Sequence, residues 1–194
     1  MNENIIYKTD QISRFYSKNR LKWNQFYPSE RKVLEKEPFN EETNILDLGC
    51  GCGGLGIALN ERFGVTKYTG IDINNLAIKE AIKLNPNGNF FPKDVLDIRE
   101  DEFQNIDYVI SLSCIDWNVE FEPMLKKAWS ILNNGKFILS IRLTNGKGIN
   151  NINDSYQFIN FNGLNEGETA PYNVYNFQKW IKVLKTLPNL SSIY

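Results

Sequence analysis

One stretch of this sequence constrains the fold more than any other: a cluster of glycines directly after a short apolar segment. Residues 45–56 read Ile-Leu-Asp-Leu-Gly-Cys-Gly-Cys-Gly-Gly-Leu-Gly, with four glycines in the six positions 49–54. Glycine lacks a Cβ, so it permits a tight turn after a buried strand and lets a ligand approach the backbone. A helix that begins there offers free N–H groups and a partial positive charge. The stretch therefore predicts a strand, a turn and a helix with a ligand site at the turn.

The surrounding pattern indicates alternating strands and helices. Between Asn44 and Leu143, short apolar segments alternate with segments of helical periodicity, which is typical of βαβ units around a parallel sheet. We predict one helix over residues 54–63, a second capped by Asn74 and a third with Pro123 in its first turn. The predicted strands cover residues 44–48, 68–73, 89–91, 106–112 and 136–143.

The length and apolar content suit one compact domain, because 194 residues with 42% hydrophobic side chains can bury a sizeable core. We divide it into a helical leader (1–40), a core (44–143) and a final part (145–194). The final part ends with a predicted helix over 176–187. We expect several aromatic side chains before that helix to pack over the carboxyl-end edge of the sheet: Tyr156, Phe158, Phe161, Tyr172 and Tyr175.

Two ligand classes fit the glycine turn. The spacing of Gly51, Gly53 and Gly56, with Asp72 about 20 residues further on, matches a dinucleotide fingerprint. Asp47 separates the two classes, because a carboxylate at the end of the strand would repel a pyrophosphate. The same carboxylate favours a ligand that carries an ammonium and a sulfonium, such as S-adenosylmethionine.

Residues 47–53, Asp-Leu-Gly-Cys-Gly-Cys-Gly, resemble motif I of the class I S-adenosylmethionine-dependent methyltransferases. The resemblance continues through residues 44–143 and is weaker in the leader. It implies a Rossmann-like α/β fold, a three-layer αβα sandwich with a mostly parallel sheet, extended here by the helical leader. It also implies that S-adenosylmethionine is the cofactor and S-adenosylhomocysteine the product.

The resemblance assigns cofactor-binding roles residue by residue. Asp72 would hydrogen-bond the two ribose hydroxyls, and Asp94 would accept from the adenine amino group while the Val95 N–H contacts a ring nitrogen. Ser111, at the end of the fourth strand, would lie near the methionine part. The complete set of expected cofactor-binding residues is Asp47, Gly49, Cys50, Gly51, Asp72, Ile73, Asp94, Val95 and Ser111.

Composition narrows the classes of partner, metal site and cellular compartment that fit this sequence. The 22 basic and 23 acidic side chains argue against a nucleic-acid partner, which would favour a basic surplus. Three cysteines, Cys50, Cys52 and Cys114, and no histidine argue against a metal site and a disulfide scaffold. The start of the chain has no apolar segment typical of a secretory signal, and no apolar run approaches the length of a membrane span. We therefore expect a cytoplasmic protein without a membrane partner.

The acceptor is expected to be a small molecule or a carbohydrate-like metabolite. The Asn-Pro-Pro-Tyr type of motif that binds a planar amino group is absent after the fourth strand, as is a Pro-Cys nucleophile. If the acceptor must lose a proton, the candidate bases are Asp116, Asp154, Glu166 and Tyr156, and no motif distinguishes them. We take Asp116 as the candidate catalytic residue; its alternative role is to cap the helix that begins near residue 119. A non-catalytic cofactor-binding protein and a nicotinamide-dependent oxidoreductase remain the alternatives.

The end of the sequence departs from the family pattern. The fold normally closes with a sixth strand and an antiparallel seventh, and only Leu190 to Tyr194 are left to begin the sixth. We therefore expect a truncated chain with an incomplete sheet edge. Such an edge would leave strand five unpaired and open to an oligomeric contact.

Overall fold

A parallel sheet forms the centre of the molecule in the computed structural model, which describes residues 4, 9–118, 120–132, 134–159 and 166–194. Its strands are β1 (Asn44–Leu48), β2 (Lys67–Asp72), β3 (Asn89–Pro92), β4 (Tyr108–Ser111) and β5 (Lys136–Leu139). They lie in the order β3-β2-β1-β4-β5, and every neighbouring pair is parallel. The change of direction at β1 leaves a crevice at the carboxyl ends of β1 and β4, where open α/β sheets bind ligands.

Helices cover both faces of the sheet. They are α1 (Gln11–Tyr16), α2 (Pro28–Leu34), α3 (Gly54–Phe63), α4 (Asn75–Leu84), α5 (Phe121–Ser130) and α6 (Phe177–Leu184). Side chains from α2, α3 and α4 share one apolar cluster with Ile45 of β1, whereas α5 and α6 share the other with Leu46. Consecutive strand residues point to opposite faces, so β1 is buried on both sides. The predicted Rossmann-like three-layer fold is confirmed.

Local signals set the ends of the helices beside the ligand crevice. Gly53 and Gly64 bound α3 with φ of 73° and 74°, a left-handed conformation that favours glycine. The side-chain oxygen of Asn74 accepts a hydrogen bond from the Leu76 N–H at 2.9 Å and so caps α4. Both features match the predictions from sequence.

The end of the core and the final part of the chain each differ from their prediction in one place. The main sheet uses β5 only as far as Leu139, and Leu143–Thr144 (β6) pairs with Tyr175–Asn176 (β9) outside it. The predicted sixth strand at 190–194 is wrong, because those residues form no strand. A turn precedes them, and the indole N–H of Trp129 donates to the Pro188 carbonyl at 2.8 Å, which holds this segment against α5.

A small antiparallel hairpin stands apart from the main sheet. Tyr156–Phe158 (β7) pairs with Thr169–Pro171 (β8). Phe161, predicted to pack near here, lies outside the described residues, as do residues 1–3 and 5–8 of the predicted leader. The described leader consists of short helices, as the predicted helical leader implied. Within the described residues, no helix has the combined length and apolar character needed to cross a bilayer.

Candidate functional site

A cavity of about 280 Å³ lies at the carboxyl ends of the strands. We call its two walls the floor and the roof. The floor consists of segments that follow strand ends, and its residues lie within 47–55, 71–73, 93–95 and 112–118. The roof comes from the two ends of the chain, and its residues lie at position 4 and within 12–26 and 157–159.

The glycine turn forms the centre of the floor. Gly49, Gly51 and Gly53 have φ of 78°, 53° and 73°, which other residues rarely adopt. A Cβ on Gly49 would lie 2.3 Å from the Cys114 sulfur, so glycine is required there for space as well. The Gly49 N–H donates to the Ile71 carbonyl at 2.7 Å, which ties the turn to β2. The turn is therefore fixed by the sheet before any ligand binds.

Asp72 links the end of β2 to the glycine turn. Its carboxylate accepts from the Gly51 N–H at 2.9 Å and from the Asn74 N–H at 2.8 Å. Burial raises the pKa of Asp72, and these two hydrogen bonds oppose the rise. Both Asp72 and the adjacent Ile73, two residues of the expected cofactor-binding set, line the cavity.

Asp47 is a buried carboxylate at the end of β1, with only 3% of its surface exposed. The Tyr68 hydroxyl donates a hydrogen bond to it. Burial nevertheless raises the pKa of Asp47 to about 7, and repulsion from Asp72 adds to the rise. A cation in the cavity would favour the ionised form, because opposite charge lowers the pKa of a carboxyl group.

Asp94 follows β3 and closes the other end of the floor. Its Oδ1 atom accepts from the Leu96 N–H at 2.9 Å, and both of its oxygens accept from Asn4. Val95 lines the cavity beside it and is buried. Because the strand order is β3-β2-β1, Asp94, Asp72 and Asp47 follow one another along the sheet edge.

Cys50 and Ser111, two of the predicted cofactor-binding residues, differ in their position relative to the cavity. Cys50 lines the cavity. The Ser111 side chain is fully buried and is not among the lining residues, whereas the next three residues, Leu112, Ser113 and Cys114, are. Burial raises the pKa of Cys50 and Cys114 well above the ordinary thiol value, so both thiols stay neutral.

Asp116 lies beside the cavity rather than in its lining. Its carboxylate pairs with Arg142 at 2.8 Å, and the guanidinium stacks on Trp117 (4.4 Å to the ring centroid) and Tyr172 (4.1 Å). Burial raises the pKa of Asp116 to about 6, and the Arg142 charge opposes the rise. Trp117 and Asn118 line the cavity in its place.

The sequence alone did not single out Arg20 or Tyr16, which the leader brings to the glycine turn. Arg20 lines the cavity, pairs with buried Glu30 at 3.0 Å and stacks on Phe26 at 4.6 Å. Its carbonyl lies against Gly54 at the start of α3. Tyr16 also lines the cavity, and burial raises its pKa. No local sequence motif in the leader predicts these contacts.

The second part of the roof comes from the hairpin. Gln157, Phe158 and Ile159 line the cavity, which places part of the predicted aromatic segment above the carboxyl-end edge. The hairpin meets the leader where the Thr9 N–H and hydroxyl contact Glu168 at 3.2 and 3.1 Å. Across the described ranges, no three His, Cys, Asp or Glu side chains are grouped to hold a metal ion.

The fold is Rossmann-like, and its cavity lies at the carboxyl ends of the strands. Residues 45–135 match the family described as methyltransferase domain. The match covers just under half of the chain and, with the curated relatives named as methyltransferases, indicates a class I S-adenosylmethionine-dependent methyltransferase, a family whose cofactor is S-adenosylmethionine. The resemblance inferred from motif I is thereby confirmed.

Curated relatives match only part of this chain. A trans-aconitate 2-methyltransferase of Escherichia coli is 26% identical over 102 residues, which is 53% of this chain and 40% of the relative. A release factor glutamine methyltransferase of Fusobacterium nucleatum is 40% identical over 76 residues, which is 37% of this chain and 21% of the relative. The matches thus span less than half the length of these relatives.

Solved structures share the fold. A candidate S-adenosylmethionine-dependent methyltransferase from Listeria monocytogenes has a TM-score of 0.56 at 23% identity, covering 80% of this chain and 81% of that one. The phosphoethanolamine N-methyltransferase 2 of Haemonchus contortus, in complex with S-adenosyl-L-methionine, has a TM-score of 0.50 at 20% identity, covering 58% and 27%. At these identities the likeness concerns the fold alone.

Proposed function

We propose that this chain transfers a methyl group from S-adenosylmethionine to a small-molecule acceptor. One observation carries the proposal: the carboxylates of Asp47, Asp72 and Asp94 line a single cavity in sequence along the sheet edge. That arrangement suits a ligand with a cationic amino-acid part, a ribose diol and an adenine amino group. When bound, the cofactor supplies a methyl group made electrophilic by a positively charged sulfur.

Each floor residue has a proposed partner on the cofactor. Asp94 accepts from the adenine amino group, and the Val95 N–H faces a ring nitrogen. Asp72 binds the ribose hydroxyls, and Asp47 the ammonium. Arg20 is proposed for the carboxylate, together with N–H groups at the start of the ten-residue helix α3, where anions are favoured.

A dinucleotide suits this floor less well. Asp47 is buried at the glycine turn, and its pKa of about 7 leaves it partly charged at neutral pH. A pyrophosphate placed there would force the carboxyl group to take up a proton, whereas an ammonium or sulfonium would favour its ionised form. The same charge argument disfavours a nicotinamide-dependent oxidoreductase.

The acceptor side of the cavity supports a small molecule. Trp117 and Phe158 offer apolar surface there, and Asn118 and Gln157 offer neutral amides that can orient a polar group. The chain's contribution is to hold the acceptor in line and to exclude water, and such positioning can supply about 7–11 kcal/mol of a barrier. The relatives named for trans-aconitate are consistent with an acceptor of this size.

Asp116 is proposed to act mainly as a positioning residue. Its pairing with Arg142 and the stacking of Arg142 on Trp117 would fix the indole at the edge of the cavity. If Asp116 were instead a general base, Asp116→Asn would lower the turnover of an acceptor that must lose a proton and remove a pH dependence near 6. A positioning role predicts a change in the KM for the acceptor with an unchanged pH profile.

The proposal is tested by methyl transfer with the full chain. Labelled S-adenosylmethionine is incubated with pools of carboxylic acids, sugars and tRNA, and Asp72→Ala serves as the negative control. We expect label in a small-molecule pool with the unmodified chain only. Tight S-adenosylhomocysteine binding without transfer to any pool would contradict the enzyme and favour a cofactor-binding protein on this fold.

A further inference from the structure

Asp94 is already held by a residue near the start of the chain. The Asn4 Nδ2 atom lies 2.7 Å from Oδ1 and 2.9 Å from Oδ2 of Asp94, although the two residues are 90 positions apart. Asn4 is buried and lines the cavity. An ionised carboxylate only accepts hydrogen bonds, so the amide nitrogen must face Asp94 and the amide oxygen must point elsewhere.

The amide oxygen of Asn4 lacks a hydrogen-bond partner among the described residues. This Oδ1 atom is buried, and no donor of the described chain reaches it. Nearly all buried polar atoms in native proteins are hydrogen-bonded, and a buried acceptor without a donor is unfavourable. Because Asn4 lines the cavity, a ligand bound there is the natural source of the missing donor.

The number of hydrogen bonds that Asp94 can still accept limits how much of a ligand amino group it can bind alone. A carboxylate has about four acceptor positions. The two contacts from Asn4 and the one from the Leu96 N–H use three of them. Asp94 therefore has room for about one hydrogen of a ligand amino group, and a second hydrogen needs another acceptor.

We propose that Asn4 is a second recognition residue for the nucleobase, an inference that rests on the proposed function. Asp94 accepts one hydrogen of the adenine amino group, and Oδ1 of Asn4 accepts the other. The Nδ2 atom of Asn4 meanwhile orients Asp94. A 6-oxo purine would bring a carbonyl oxygen against these two acceptors, so the pair selects a 6-aminopurine nucleoside.

The test compares two ligands by calorimetry on the full chain: S-adenosylhomocysteine and its 6-oxo analogue, S-inosylhomocysteine. Asn4→Ala and Asn4→Leu both remove the amide, and the leucine, similar in size to asparagine, leaves no space for a replacement water. We expect each to weaken S-adenosylhomocysteine binding about five- to tenfold and to leave the analogue within twofold, so the preference for the amino base falls. Thr9→Ala, in the same leader but outside the cavity lining, should leave that preference unchanged.

Three other results would overturn either this inference or the proposed function. If the Asn4 variants bind S-adenosylhomocysteine more tightly, the amide blocks the adenine site and the inference is overturned. If both ligands weaken equally, Asn4 only fastens the leader, and the inference is again overturned. If the unmodified chain binds neither ligand, the proposed function itself fails.

Discussion

The floor and the roof of the cavity enclose the same ligand space but are built differently. The floor is held by backbone: the Gly49 and Cys50 N–H groups bond to the Ile71 carbonyl, and Asp72 bonds to the Gly51 N–H. The roof is held by side chains from distant parts of the sequence, such as the contact between Thr9 and Glu168.

We infer from this difference that the floor sets the affinity for the ligand and that the roof sets which part of the ligand is recognised. A floor set by the sheet is in place before the ligand arrives, so a change there should remove binding or destabilise the fold. The leader and the hairpin meet in the roof through polar contacts between Thr9 and Glu168, and segments with few contacts open locally more easily. Changes in the roof should therefore alter which part of the ligand is recognised.

Removing Asp72 should have the largest effect. Asp72→Ala loses the contacts proposed for the ribose and the hydrogen bond that holds Gly51, and charge-assisted hydrogen bonds are worth about 1.5–3 kcal/mol each. We expect at least a hundredfold loss of S-adenosylhomocysteine affinity, measured as loss of the ligand-induced rise in Tm. Asp101→Ala removes an exposed carboxylate that pairs with exposed Arg99, and this control should keep the full rise. An undiminished rise in Asp72→Ala would contradict the role of the floor.

Two glycines provide a matched pair for measuring how much close packing at the floor contributes to the free energy of unfolding. Gly49 and Gly64 have φ of 78° and 74°, but an added Cβ meets Cys114 at Gly49 and nothing within 4 Å at Gly64. Gly64→Ala should cost about 1 kcal/mol from backbone strain alone. Gly49→Ala should cost about 2–4 kcal/mol, since overpacking adds about 1–3 kcal/mol. Urea unfolding measures both, and equal costs would show that the floor is not tightly packed at Gly49.

The sequence predicted the floor because its signals are local. The helix over 54–63 is bounded by glycines that take left-handed conformations, and Asn74 caps α4 two residues after Asp72. Arg20 reaches the same cavity from the leader, with no motif of its own. The error at residues 190–194 has the same origin, because the contact that holds the preceding turn against α5, from Trp129 to Pro188, joins residues far apart in the sequence.

A change in the roof should alter recognition of one part of the ligand. Arg20→Met combined with Glu30→Gln removes the ion pair without leaving a buried charge. We expect S-adenosylhomocysteine to bind about tenfold more weakly, while its decarboxylated analogue binds as before. Calorimetry with both ligands measures this, and equal weakening of the two would mean that Arg20 only supports the leader.

The smallest effect is a pH dependence that comes from Asp47. Burial raises its pKa to about 7, and the proposed ammonium contact needs the ionised form, so binding releases a proton below that pH. S-adenosylhomocysteine affinity should therefore rise about tenfold from pH 6 to pH 8 and level off above. Histidine is absent from the chain, so no imidazole titrates in this range. Asp47→Asn should bind more weakly at pH 8 with a flat profile, and an unchanged rise would assign the proton to another group.

The central claim is that a negative side chain at the end of β1 adapts this glycine turn to a cationic adenosine ligand. Calorimetric titration of the unmodified chain with S-adenosylhomocysteine and, separately, with NAD tests it most directly. We expect saturable binding of S-adenosylhomocysteine and no binding of NAD. Binding of NAD that S-adenosylhomocysteine fails to displace would contradict it.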